Sequence, residues 1–412
     1  MVDVDNRAPG VFRQDVFPTP APSFLTGVPV FLGYAVGPEE PVVEPVAPID
    51  ESAGQPVDES LALVEPSEPD GEPDAPVMLT LWPQFEKELG PAPPNGYLAS
   101  AVRGFFENDG LLCYVIRLAD DGSPAEELRR GLEVAGTLDD VDLVCAPDIM
   151  RTPAPTVDPD RATVTAMQRD VLDHCTGRGD RFAILDAIPR DVDAQRLDLR
   201  GDHGALYHPW ALVPGPVGLP RYVPPSGHVA GVYSRSDRNV GVHKAPANEV
   251  LEGVLDLQAD IGAAEVGRLY GTGVNCLRAL PGRGIRVWGA RTLSADPAWQ
   301  HVNVRRVVLT LGRWLERFMA ALVHEPNDVR LWVRIMRDLT AYLEGQFRRG
   351  ALKGRTPDEA FFVKCDSETN PPEAIDAGTV VTHVGLAPVA PAEFVVVRII
   401  HGASGVSITT TS

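Results

Sequence analysis

Two adjacent pairs, His243-Lys244 and Cys365-Asp366, and two glycine loops, Gly271-Thr-Gly273 and Gly282-Arg-Gly284, are the places where this chain could do chemistry. A histidine beside a lysine suggests proton transfer. No nucleophile or carboxylate pair can be assigned to His243, however, which favours a hydrogen-bonded structural role. Cys365 and Asp366 can be drawn as nucleophile and acid. Thiolate chemistry needs an exposed, electropositive setting, so a buried cysteine at a strand end is the simpler reading. Neither glycine loop completes G-x-G-x-x-G, and a lone G-x-G is more often a turn. Arg283, Arg286 and Arg291 could clamp an anion but fit better as partners of carboxylates across a domain or subunit contact.

The remaining candidates are weaker. His174 adjoins Cys175 on a helical stretch, where neighbours point to different sides, and His203 and His208 flank Tyr207 with no third ligand nearby. Cys113, Cys145, Cys175, Cys276 and Cys365 include no C-x-x-C pair, so neither a zinc site nor a disulfide framework is suggested, and each reads as a small buried hydrophobe. The chain has no Walker phosphate loop, H-E-x-x-H or G-x-S-x-G elbow. The expectation is a protein without catalytic, cofactor-binding or metal-ligating residues.

The elements that would position these residues follow from periodicity. At 412 residues and 44% hydrophobic content the chain is long enough for two or more domains. Short apolar runs at 29–35, 77–80, 111–118, 143–147, 182–186 and 206–213 read as strands. They alternate with helical sequence at 97–108, 128–136, 163–176 and 229–233, the rhythm of an α/β layer. A second domain is expected from about residue 256. Its helices at 303–319 and 329–347 each bury one stripe, with Asp328 as N-cap of the second, and strands follow at 361–365, 379–384 and 393–401. Residues 39–76, rich in Pro, Glu and Asp, have no period and read as an extended or disordered surface insertion.

Charge narrows the partners. Net charge is −20, which argues against a nucleic-acid surface. Residues 14–86 contain no Lys or Arg, whereas residues 278–355 are rich in arginine, and a basic region in an acidic protein suits an acidic partner. No apolar run of about 18 residues is present, and Met1-Val-Asp-Val-Asp-Asn-Arg7 lacks the layout of a signal peptide, so cytoplasmic assembly without membrane insertion is expected.

One stretch carries a family pattern. Pro281-Gly-Arg-Gly-Ile-Arg-Val-Trp-Gly-Ala-Arg-Thr-Leu-Ser294 and His324-Glu-Pro-Asn327 resemble the C-terminal domain of contractile tail sheath proteins of phages and phage-like injection systems. Ser226-Gly-His-Val-Ala-Gly-Val-Tyr233 and Val242-His-Lys-Ala-Pro-Ala-Asn-Glu249 lie upstream in the family's order. Ala360-Phe-Phe-Val-Lys-Cys-Asp366 and Thr369-Asn-Pro-Pro372 lie downstream. Ala8-Pro-Gly-Val-Phe12 resembles the family's N-terminal arm, and Ala387-Pro388 through Pro391-Ala-Glu-Phe394 its exit into the C-terminal arm.

The resemblance implies an α/β, two-domain sheath-like fold with extended β arms. Its parts are an N-terminal arm at 1–22, an outer domain at 23–255, an inner domain at 256–390 and a C-terminal arm at 391–412. It implies a structural subunit, not an enzyme, without cofactor. Such a subunit forms a homo-oligomeric sheath on an inner tube, meets baseplate and tail-terminator or cap proteins, and contracts from a metastable state inside a phage-tail-like particle that can leave the cell. Two other classes are a sheath paralogue serving as baseplate or tail-end adaptor and an α/β enzyme. Val11, Phe12, Val16 and Phe17, with Phe394, Val395, Val396, Val397 and Ile399, are expected in strands donated to neighbours; edge strands within the subunit are the other reading. Arg348, Arg349, Lys353 and Arg355 are expected to face the tube.

Overall fold

Alternating apolar runs and amphipathic helices build one large sheet in the computed structural model, which describes residues 25–37, 75–153, 157–189, 192–215, 218–389, 395–402 and 405–411. The strands are β1 (Pro29–Gly33), β2 (Pro76–Leu79), β3 (Cys113–Arg117), β4 (Leu143–Cys145), β5 (Phe182–Asp186), β6 (Gly204–His208), β7 (Ala211–Val213), β8 (Arg221–Val223), β9 (Glu249–Val250), β10 (Asp256–Leu257), β11 (Val274–Leu280) and β12 (Gly284–Val287). Nine of them lie in the order β2-β3-β1-β4-β5-β6-β11-β12-β9, while β10, β7 and β8 form a small side sheet. The six strands from β3 to β11 in that order are parallel. β2 closes one edge antiparallel to β3, and the β11–β12 hairpin turns back towards β9 at the other.

Parallel strands need both faces covered, which is why these runs are apolar throughout. Period-two alternation sends Val30, Leu32, Ile116 and Leu185 to one face, where α3 (Pro124–Ala135) and α4 (Arg161–Arg178) supply Leu128, Leu132, Val164 and Val171. Phe31, Val115, Cys145 and Ile184 go to the other face, against α2 (Leu98–Glu107) and α6 (Ser226–Asn239). α1 (Pro83–Leu89) and α5 (Val192–Asp198) are short connectors, and α7 (Ala263–Thr272) precedes β11.

α2 and α6 approach closely because glycines line their contact. A Cβ on Gly227 would lie 2.1 Å from the Ala101 carbonyl oxygen, and one on Gly231 2.5 Å from that of Phe105. The Gly227-x-x-x-Gly231 spacing puts both glycines on one face of α6, and this explains the Ser-Gly-His-Val-Ala-Gly segment without any chemistry.

A second layer follows. α8 (Val302–Ala320) and α9 (Val329–Arg348) pack with a four-stranded antiparallel sheet of β13 (Phe361–Lys364), β14 (Val380–Leu386), β15 (Val395–Gly402) and β16 (Gly405–Thr411). Its core holds Trp314 stacked on Tyr342 at 3.7 Å, with Leu311, Leu315, Ile335, Leu339 and Val384. Asp328 caps α9 as expected, accepting from the Arg330 and Leu331 amides.

Two sequence expectations change. The second domain does not begin near residue 256, because β11 lies parallel to β6 and Leu293 still donates to the Gly204 carbonyl; the strands of residues 256–293 belong to the first unit. The Ser/Thr-rich end, not assigned a strand, forms β16, which pairs with β15 from Val396↔Thr411 to Gly402↔Gly405.

α8 joins the two cores. Val302 and Leu309 face the first, and Val308, Leu311 and Trp314 the second. Between these stripes Arg306 is fully buried, with two hydrogen bonds to Asp237 at 2.6 and 2.9 Å, one to Asp142 at 3.1 Å, and its guanidinium 4.8 Å from the Tyr233 ring. Asp142 also accepts from the amides of Gly27 and Val28. Removing one partner of such a cluster strands the others in a dry interior. Arg306→Ala should therefore lose about 3–5 kcal/mol in urea unfolding, and a loss below about 1 kcal/mol would show that the cluster is wetter and weaker than its geometry implies.

Candidate assembly surfaces

The edge of the C-terminal sheet is set by a side chain. β13 pairs with β14 only as far as Lys364↔His383. Beyond that point Asn370 takes over, accepting from the Val381 amide at 2.6 Å and donating to the Val381 carbonyl at 3.0 Å. The Cys365–Asn370 turn that delivers it is held by Asp366, whose carboxylate accepts from the amides of Glu368 and Thr369. Cys365 is buried, with its thiol raised by that burial, so it is a packing residue here.

The other side of β14 carries β15. Val395, Val396, Val397 and Ile399 stand opposite Leu386, Gly385, Val384 and Thr382 in a seven-pair antiparallel register. Within the single chain, β15 thus pairs with its own β14. Val11, Phe12, Val16, Phe17 and Phe394 lie outside the described residues.

Arg348, Arg349, Lys353 and Arg355 are all exposed at and beyond the end of α9. Acidic side chains lie beside two of them. Arg348 pairs with Glu344 one turn back at 3.2 Å, and Glu359 accepts from the Arg355 amide. Arg349 borders a groove of about 680 Å³ with His243, whose imidazole is held below its ordinary value by burial first and by Arg349 second.

The Asn275–Ser294 stretch fastens the large sheet to the start of α8. Asn275 donates to the carbonyl oxygens of Arg291 and Leu206 and accepts from the Arg291 amide. A Cβ on Gly289 would lie 2.7 Å from Asn275 Oδ1, so glycine is needed where this loop crosses the strand. Thr292 then donates its hydroxyl to the Trp299 carbonyl at 2.6 Å. Side-chain amides acting as backbone partners leave little periodic trace, and only the family pattern marked these residues in sequence.

Titratable groups fit this architecture. Burial pushes His174, His208 and His228 down to about 4, keeping them neutral near pH 7, and raises all five cysteine thiols. Among the described residues, no group of three or more His, Cys, Asp or Glu side chains could hold a metal ion. No described helix is long and apolar enough to cross a membrane.

Residues 139–293 match the phage tail sheath protein central domain, and residues 294–400 the phage tail sheath C-terminal domain. Among solved structures, a chain of the contracted helical sheath of the anti-feeding prophage is 27% identical. It aligns over 94% of this chain and 98% of its own with a TM-score of 0.70. A chain of that particle's six-fold symmetrised baseplate structure is also 27% identical, covering 94% of this chain and 97% of its own at a TM-score of 0.71. The tail sheath protein of Vibrio phage KVP40 is 25% identical over 184 residues, 44% of this chain. The match spans about a quarter, 26%, of that relative's length. The two-layer fold and its side-chain staples define a tail-sheath architecture. The chain belongs to the phage tail sheath protein family.

Asp186 offers a test of how the first layer is sealed. Its carboxylate is fully buried at the start of α6, where it accepts from the Ser226 amide at 2.8 Å, and burial lifts it from near 3.8 to about 7. Because the folded value is the higher, its contribution to stability is full below about 3.8 and is lost as pH rises through about 7. Asp186→Asn abolishes that titration. Its melting temperature relative to wild type should rise between pH 4.5 and 7.5, and a difference that stays flat with pH would refute the assignment.

Proposed function

We propose that this chain is the polymerising subunit of a contractile sheath, assembled in the cytoplasm around an inner tube within a phage-tail-like particle. The observation that carries the reading is the end-to-end likeness to a chain of a contracted helical sheath, at 27% identity over 94% of the residues. Work in such a polymer comes from exchanging interfaces between rigid bodies, with the extended lattice as the stored state, so neither catalysis nor a nucleotide is required. The C-terminal domain would line the tube, baseplate and terminal proteins would cap the ends, and the acidic insertion would lie on the outer surface.

The C-terminal strand supports a tether. The seven-pair register of β14 with β15 can be made equally well with a neighbour's β15, which is the logic of a domain swap. Backbone hydrogen bonds at about 0.5–1.5 kcal/mol each give several kcal/mol per junction. That is enough to keep neighbours joined while their globular faces part and re-dock. The second reading, a baseplate or tail-end adaptor, is favoured by the equal likeness to a chain of a baseplate structure. Electron micrographs of the purified protein separate the two, since long hollow cylinders require the sheath reading.

Truncations lacking residues 1–17, or ending at Ala392, should each give a cooperatively melting subunit that forms no continuous cylinder. Cylinders that still assemble and contract without either arm would refute the tether, and a truncated chain that fails to fold would mean that the strands serve their own subunit. Reversing Arg348 and Arg349 to Glu should release the sheath from its tube while cylinders of the subunit alone survive. Undiminished co-assembly of that double variant with tube protein across a range of salt would sink the tube-facing assignment.

A further inference from the structure

The β11–β12 hairpin is an acid-free basic surface, and among the described residues no carboxylate pairs with its arginines. Residues 274–287 contain Arg278, Arg283 and Arg286 and no Asp or Glu. Arg278 and Arg286 are direct cross-strand partners, so two like charges share one face of the hairpin, an arrangement that costs stability unless an anion offsets it. Arg283 at the turn and Arg286 beside it are anchored by Asn248, through its side-chain oxygen at 3.0 Å and its carbonyl at 2.6 Å.

Nearby, Arg291 lies 4.5 Å from the Tyr270 ring, and its buried Nε has no partner among the described residues. Arg278 lies over Trp288 at 5.7 Å. Tyr270, Arg278, Trp288 and His301 line an open groove of about 530 Å³ at this edge of the large sheet. Among the described residues, none of the four arginines has a carboxylate within ion-pair distance, whereas most other arginines do. An arginine and aromatic surface of this kind suits a planar carboxylate group presented on an extended segment.

We infer that the groove and the Arg278–Arg286 hairpin face dock a carboxylate-bearing surface of a second copy of this chain. Charge complementarity selects the occupant. The subunit carries a net charge of −20, so in a homopolymer the anionic surface facing this patch comes from a like subunit. The hairpin lies at the β12–β9 end of the sheet, and a head-to-tail contact made there leaves the rest of the subunit free to repeat it. The inference rests on the polymerising reading above and adds a contact to it.

The test uses the full chain with Arg283→Lys and Arg286→Lys, which keep the charge and allow carbodiimide to join the introduced ammonium to a carboxylate it touches. Subunits labelled with ¹⁵N and unlabelled subunits are mixed before assembly, so that mass spectrometry distinguishes links between copies from links within one. The expected result is a link from position 283 or 286 to an Asp or Glu of another copy. Arg283→Glu with Arg286→Glu should in turn keep a cooperative melting transition, since the Glu at 286 faces Arg278 across the strands, and lower cylinder yield at least tenfold. Cylinders that form without an intermolecular link at these positions, or links only within one copy, overturn the docking inference and leave the sheath reading intact. A charge-conserving variant that never assembles alongside a wild-type chain that also never assembles removes the sheath reading itself.

Discussion

Everything in this subunit is arranged around the burial of one guanidinium. Taking Arg306, Asp142 and Asp237 out of water costs several kcal/mol per ion, recovered only when all three meet in good geometry. That geometry needs α8 seated on the large sheet, α6 lying where Asp237 can reach, and the chain at Gly27 and Val28 turned towards Asp142. Each layer therefore has one acceptable placement on the other. Arg313 and Arg317, bonded to the Asp139 carbonyl and the Asp140 carboxylate, extend the same join along the helix. A subunit that moves as a rigid body, as the proposed function requires, benefits from a joint of this kind, because sliding by even one side chain would leave charges unpaired in a dry core.

The parts of this fold that were legible in sequence are those written in periodicity. The strands from Pro29 to Asp186, the capped helix after Asp328 and the buried stripe of α8 all follow from spacing, since burial on a sheet face or helix stripe leaves a repeating apolar signature. What escaped was non-local. The second domain was expected from about residue 256, whereas β11 joins β6 through a crossover that no local pattern announces. Nothing local in the sequence marks Arg306; only the tertiary position of Asp142, 164 residues away, makes it central. β16, rich in Ser and Thr, has the β-prone composition of a strand but only two alternating apolar residues, Val406 and Ile408, to mark a face.

The family pattern also reads differently once each residue has a partner. Asn370 and Asn275 replace missing backbone bonds at strand ends, Gly227, Gly231 and Gly289 permit close crossings, and Thr292 locks a turn. These are geometrical duties, and a strongly patterned sequence can arise from them without reference to a reaction. Such positions tolerate few alternatives because an amide side chain that mimics a peptide group, or a missing Cβ at about 2 Å from a carbonyl, has no chemical substitute.

The pairing of β15 with β14 inside one subunit bears on how assembly begins. A strand tied to its own sheet through the short connection after Leu386 competes with any incoming strand at a local concentration on the order of millimolar. Dilute subunits would then remain closed, and growth would start only where a template holds one subunit's acceptor strand beside another's donor. Elongation under that rule has a lag and a critical concentration, so cylinder length reflects the number of templates supplied more than the amount of subunit made.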